Sequence, residues 1–390
     1  MTGHARRIRR RGLPLAAIAL LGLLLAACDE PEPVDDEPDD EVDAEQAEAD
    51  YEVWALDQGT DVLHVLDPDG EVVDEVDLSD HVEVPHMVDF DESGQYAFVA
   101  ATASGQTAVL RADDREVVAV LDTGPGSHMA RPTPDGEAAW VSVIGDEALV
   151  EITADLDAEE FEVGRTVDIA AALEAEGVSG DFPSQGAVCH EYDAEGATAW
   201  VTLGPADGGV VEVDLAAAEV TRIHDRDELW ANCGTLRTHD DRTVMLNYGD
   251  EGSGDLWRLD VEQGEVTDHV EVDGSDAHGL AFTPDGEELW QVNRVSDDGN
   301  VYDPDTLEVI DTFDFDGETP DIIWISPDGQ RAWVTLRGPE PVSAAHVAEG
   351  RTSGVAVLDV PSRELIDVIE LAPDSPESDF HGVWGRPLTG

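Results

Sequence analysis

The chain has 390 residues, 90 acidic against 20 basic, and a formal net charge of −70. Every basic residue is arginine, so nucleic-acid binding is not expected, because phosphate contacts need basic patches. Like charge at this density opposes a compact state unless salt screens it, and at ~1 M salt the Debye length is only about 3 Å, so the composition predicts a salt-requiring, halophilic domain.

Residues 1–28 read as a leader. Arg6, Arg7, Arg9, Arg10 and Arg11 form a positive start, and an apolar run from Leu13 to Ala27 follows. The run is too short and wrongly flanked for a spanning helix and fits a signal peptide. It ends in Leu25-Ala-Ala-Cys28, which looks like a bacterial lipobox, with Cys28 as the lipidated residue. The arginines leave general and twin-arginine export both open. The expectation is a protein anchored by lipid to the outer face of the cytoplasmic membrane. From Asp29 to Asp50 stand 13 acidic residues, three prolines and no basic residue, which predicts a disordered tether.

From residue 51 onward the chain alternates short apolar runs with turns of the Pro-Asp-Gly kind, which read as strands and tight hairpins. Anchored on Gly94, Gly136, Gly196, Asp241, Gly286 and Gly329, a large apolar residue falls four positions later: Phe98, Trp140, Trp200, Met245, Trp290 and Trp333. Eight positions before the same anchors stand His86, His128, Val188, Cys233, His278 and Asp321. A seventh copy, Asp379-Phe-His381-Gly-Val-Trp384, stops near the C-terminus. A period of roughly 40 residues suggests propeller blades. The first unit begins at Tyr51 with what should be a second strand, and the C-terminal segment supplies its missing inner strand. The expected fold is all-β: a seven-bladed β-propeller over 51–390, closed by a C-terminal inner strand that completes blade 1. An insertion from Asp168 to Gln185 predicts a short helix ended by Gly177, and a second, from Arg337 to Ser353, carries His346. Both should crowd the mouth of the central channel.

The pattern (Ser/Thr)-Pro-Asp-Gly followed by Ala-Trp-Val-(Ser/Thr), as in the stretch Ser326 to Thr335, resembles the YVTN-repeat, YncE-like propellers. The resemblance covers nearly all of 51–388. It departs at the Asn usual after Val-Thr, which is Leu203 or Leu336 here. It implies the propeller fold and an extracytoplasmic setting. Lactonase-type propellers and propeller domains of periplasmic redox enzymes share the signature, so it implies no one reaction.

His86, His128, His278 and His381 occupy one equivalent position in four blades, with Cys233 and Asp321 in two others. His190 lies two residues beyond Val188, one step deeper. Imidazoles converging on an axis beside a thiol suit copper or zinc. Asp276 and Asp379 each precede a ring histidine by two and are candidates to hold its second nitrogen. The alternative is that the histidines cap strand ends by hydrogen bonds. Arg294 and Arg337 follow second strands and, with Asp321 and His346, are candidate ligand-binding residues, or ordinary solvated side chains. Cys189 and Cys233 sit near the same end of neighbouring repeats, as a disulfide, free thiols or metal ligands. A histidine-lined propeller channel is similar to the copper-cluster domain of nitrous-oxide reductase, but this chain lacks its seven histidines and its cupredoxin domain.

Three activities are consistent with these residues. The first is a monomeric scaffold binding a protein or small-molecule partner across the mouth. The second is a copper- or zinc-dependent oxidoreductase. The third is a lactonase-like hydrolase.

Overall fold

The computed structural model describes residues 50–343 and 348–388. The leader, Cys28, all but the last residue of the tether, and His346 lie outside the described residues. The described chain forms seven four-stranded antiparallel sheets in a ring, a seven-bladed β-propeller. The inner strands are Pro85–Phe90, Ser127–Pro132, Gly186–Tyr192, Thr235–Arg237, Ala277–Phe282 and Pro320–Ile325 in blades 2 to 7. In blade 1 the inner strand is Phe380–Pro387, which pairs antiparallel with the first strand of the chain, Tyr51–Asp57. The closure expected from the sequence is therefore present, and no blade is left with an open inner edge.

Local chemistry explains the repeat. Gly94, Gly136, Gly196, Gly286 and Gly329 all have positive φ at the turn, and Asp241, at φ 59°, takes the same conformation in blade 5. In all six turns a side chain ties the loop; Thr283, for example, donates from Oγ1 to Asp285 and accepts from the backbone N–H of Glu288. The large residue four positions on points between blades: Trp140, Trp200, Trp290 and Trp333 are buried, as are Phe98 and Met245. Fully burying such side chains contributes roughly 1.5–3 kcal/mol each, which makes these inter-blade contacts the main apolar core.

The Ser/Thr that ends the Val-(Ser/Thr) pair has a separate task. Thr202 donates to the Cys233 carbonyl and Thr335 to the His381 carbonyl, each on the inner strand of the next blade. Asn247 reaches the His278 carbonyl in the same way, and Ser142 meets His190 Nδ1 at 2.7 Å. Each of these second strands thus grips the neighbouring blade beside its ring position. The insertion after blade 3 forms the expected helix, Ile169–Glu176, with Asp168 as N-cap and Gly177 in the left-handed conformation as C-cap.

Candidate metal centre

Every inner strand carries a one-residue bulge at its mouth end. The register with the second strand shifts between Pro85 and Met87, Ser127 and Met129, Ala187 and His190, Ala277 and Leu280, and Pro320 and Ile323. In blade 1 three steps from Phe380 to Val383 face two on the partner strand. In blade 5 the N–H groups of Asn232 and Cys233 both donate to the Asn247 carbonyl. A bulge bends the strand and re-aims the extra side chain. Here it turns His86, His128, Val188, Cys233, His278, Asp321 and His381 toward the axis, all of them buried. The residue after the bulge is glycine where inner strands approach most closely: a Cβ on Gly279 would lie 2.8 Å from the Asp321 carbonyl oxygen, and one on Gly382 2.6 Å from that of His86.

The ring side chains touch in sequence. His86 and His128 face each other through their Nε2 atoms at 3.0 Å, and the rings of His86 and His381 stand 3.6 Å apart between centroids. His381 Nδ1 is 3.5 Å from Asp321, Asp321 is 3.2 Å from His278 Nε2, and His278 Nδ1 is 2.6 Å from the Cys233 sulfur. Among the described residues two triads bring their ligand atoms within 4.8 Å of one another: His86, His128 and His381, and His278, Asp321 and His381. Cys189, next to the bulge of blade 4, is a further neighbour; both it and Cys233 are buried, unbridged thiols.

Burial holds His86, His278 and His381 well below the ordinary histidine range, helped by the neighbouring histidines and by Arg294 and Arg337. They are neutral at pH 7, the protonation state a metal ligand requires. The Cys189 thiol is held down at about 5 by the neighbouring Cys233 thiol, then by His128, against burial. Burial and Cys189 push Cys233 up instead, so of the two sulfurs Cys189 gives up its proton more readily.

Behind blades 6, 7 and 1 lies a girdle of ion pairs. Arg294 holds Asp276 through two bonds of 2.8 and 3.1 Å and reaches Asp321 at 3.3 Å. Arg337, fully buried, holds Asp379 at 2.8 and 2.7 Å and Asp321 at 2.9 Å. These arginines are not solvated, and among the described residues Asp276 and Asp379 bind them, not the ring histidines. Gln58, which the sequence did not single out, fills the role expected of the carboxylates: its amide donates to Asp379 at 2.9 Å, and its oxygen accepts from His86 Nδ1 at 2.8 Å. His190 is not brought to the ring. Ser142 and Tyr192 take its two nitrogens between blades 3 and 4.

A cavity of about 560 Å³ opens above the ring, lined by His128, Val188, Cys233, His278 and Arg294 and roofed by Pro205 and Val342. The loops carrying the last two join second and third strands of blades 4 and 7. His128 Nδ1 and His381 Nδ1 are buried without a hydrogen-bond partner. Buried polar atoms left unmet in this way are rare in folded proteins, and the bare His128 nitrogen fits a site built for an ion.

No family model matches the chain, and no curated relative matches it. Among solved structures it is similar to hydrazine synthase of Kuenenia stuttgartiensis, 16% identical, with 80% of this chain and 90% of that one covered and a TM-score of 0.56. It is also similar to the dihydro-heme d1 dehydrogenase NirN, 12% identical, with 85% and 74% covered and a TM-score of 0.57. At these identities the likeness shows the propeller fold alone.

Proposed function

We propose that this protein is an extracytoplasmic, YncE-like propeller, lipid-anchored through Cys28, that binds a transition-metal ion at its channel mouth, with copper and zinc the metals its donors suit. One observation carries the reading: seven strand bulges turn side chains toward the axis, six of the seven can ligate a metal, and five of those form two triads with ligand atoms within 4.8 Å. Simple strand capping does not account for histidine nitrogens left buried and unpartnered. The cavity above the ring supports a second reading, in which the ion acts on a small substrate as an oxidoreductase centre. Of the two similar structures the heme d1 dehydrogenase is a redox enzyme by name, and that lends the second reading no more than a shared scaffold. A hydrolase reading has less support, since Arg294 and Arg337 are engaged by carboxylates.

Elemental analysis tests the proposal. The chain is purified in molar salt without chelators or a histidine tag, beside a His128→Ala/His278→Ala double variant. Stoichiometric copper or zinc in the parent and none in the variant is expected. A parent that stays metal-free after exposure to both ions would refute the metal centre.

A further inference from the structure

Resting on that reading, we infer that the ion is copper(II), that its seat is the three-histidine group His86, His128 and His381 of blades 2, 3 and 1, and that Gln58 prepares His86 to receive it. Among the described residues two triads have ligand atoms within 4.8 Å of one another, and their surroundings separate them. In the triad of His278, Asp321 and His381 the donors are already engaged. Asp321 gives one oxygen to Arg294 at 3.3 Å and the other to Arg337 at 2.9 Å. His278 turns Nδ1 to the Cys233 sulfur at 2.6 Å and Nε2 to Asp321 at 3.2 Å. In the other triad His86 and His128 turn their Nε2 atoms to each other at 3.0 Å. Metal–nitrogen bonds of about 2.0–2.1 Å set neighbouring donors roughly 2.8–3.4 Å apart in square and tetrahedral geometries. These two atoms therefore already stand at ligand spacing, and His381 supplies the third nitrogen.

Hydrogen bonding fixes the lone pairs. The Asp379 carboxylate accepts from the Gln58 amide at 2.9 Å, which turns the Gln58 oxygen toward His86. That oxygen accepts from His86 Nδ1–H at 2.8 Å, so His86 Nε2 carries a bare lone pair. In the metal-free ring His128 Nε2–H donates to it. The ion takes the place of this one proton, which moves to Nδ1 of the same ring. His128 Nδ1 can take it, because it is buried without a hydrogen-bond partner. One N–H···N hydrogen bond is exchanged for metal–nitrogen bonds to three rings; no proton is lost and no electron moves. His128 also lines the mouth cavity, which gives the ion its way in. Three neutral imidazoles suit copper and zinc, and a given nitrogen set holds copper(II) more tightly than zinc. Part of the ion's charge is met from beside the seat: Asp276, Asp321 and Asp379 outnumber Arg294 and Arg337 by one, and Asp321 lies 3.5 Å from His381.

The test uses the whole chain in molar salt, titrated with copper(II) and with zinc against competing chelators. One copper(II) per chain, held more tightly than zinc, is expected. X-ray absorption of the copper-loaded parent, which needs no variant, should show nitrogen scatterers at about 2.0 Å and no sulfur at about 2.3 Å. His86→Ala and His381→Ala should each weaken binding at least 100-fold, and His278→Ala, which spares all three ligands, less than tenfold. Gln58→Leu should weaken it about tenfold. Nitrogen-15 ring spectra of the metal-free protein should show His86 protonated on Nδ1 in the parent and in both tautomers in Gln58→Leu, a change that a merely structural Gln58 would not produce. Circular dichroism and thermal melting of each variant separate lost binding from lost fold. Sulfur bonded to the copper, zinc bound more tightly than copper(II), or a folded His86→Ala with parental affinity would overturn the three-histidine copper seat and leave the metal centre standing. His86 protonated on Nε2 in the parent would overturn the role of Gln58. Binding of neither metal would overturn the seat and the metal centre together.

Discussion

The two halves of the channel mouth are built from opposite materials. Across blades 6, 7 and 1 the charged groups are paired: Asp276, Asp321 and Asp379 are interlocked with Arg294 and Arg337, and Gln58 closes the network. Across blades 3 to 5 the mouth is soft and under-satisfied, with two thiols, an unpartnered imidazole nitrogen and an apolar floor. A saturated network gives rigidity and a fixed geometry; removing one partner from it leaves buried charge behind. An under-satisfied patch contributes little to folding and is available to a ligand. The difference teaches that one half holds the ring in shape, while the other half leaves polar atoms unmet.

The sharpest way to break this comparison is Arg337→Ala. It leaves Asp321 and Asp379 buried with one guanidinium fewer, and breaking such a pair costs about 3–5 kcal/mol. Denaturant melts in molar salt should show that loss; a loss under 1 kcal/mol would mean the girdle is not structural.

Acid should act next. In the metal-free protein His86, His278 and His381 are buried and neutral, with folded-state pKa values below the unfolded value near 6.5. Their contribution is full above that value. As pH falls below it the unfolded chain binds protons that the fold does not, so stability is lost on acidification, by about 1.4 kcal/mol per pH unit for each histidine. Midpoints measured at pH 7, 6 and 5.5 should fall with a slope approaching four protons, since His190, also buried and held well below 6.5, adds to the three ring histidines, and a flat profile would contradict the neutral ring.

A smaller effect is expected from Thr335→Val, which keeps the shape and removes the hydroxyl that serves Ile322 and the His381 carbonyl. Leaving those groups unmet costs roughly 1–3 kcal/mol. Smallest of all should be Cys189→Ser in the metal-free protein, about 1 kcal/mol or less by the same melts. A larger loss would mean that the thiol half, too, is built for stability.

Much of this was legible in the sequence, because a propeller repeats its chemistry. The turn glycines, the tryptophans and the residues eight before the turn marked the blades, the core and the ring. What was not legible depended on pairing between blades. Asp276 and Asp379 looked like partners of the histidines two residues on, by the period-two rule for strands. Asp276 lies instead just before its strand at φ 64°, where alternation does not hold, and an arginine 18 residues later claims it. The bulges obscured Cys189, since an extra residue in one strand shows only against its partner strand. Gln58 carries no motif, and its role exists only once the first and last strands have met. His190 shared a face with the ring by counting, but the bulge above it and the reach of Ser142 place it between blades.

The closing strand gives the protein an order of construction. His381 belongs to the last strand of the propeller, and Tyr51–Asp57, its partner in blade 1, is the first. The two must find each other across more than 300 residues, so contacts of very long range complete the fold. Until they do, His86 has neither Gln58 in place nor His381 beside it, and the mouth has no floor plan to offer an ion. A chain cut short of this strand therefore lacks His381, and its ring stays open.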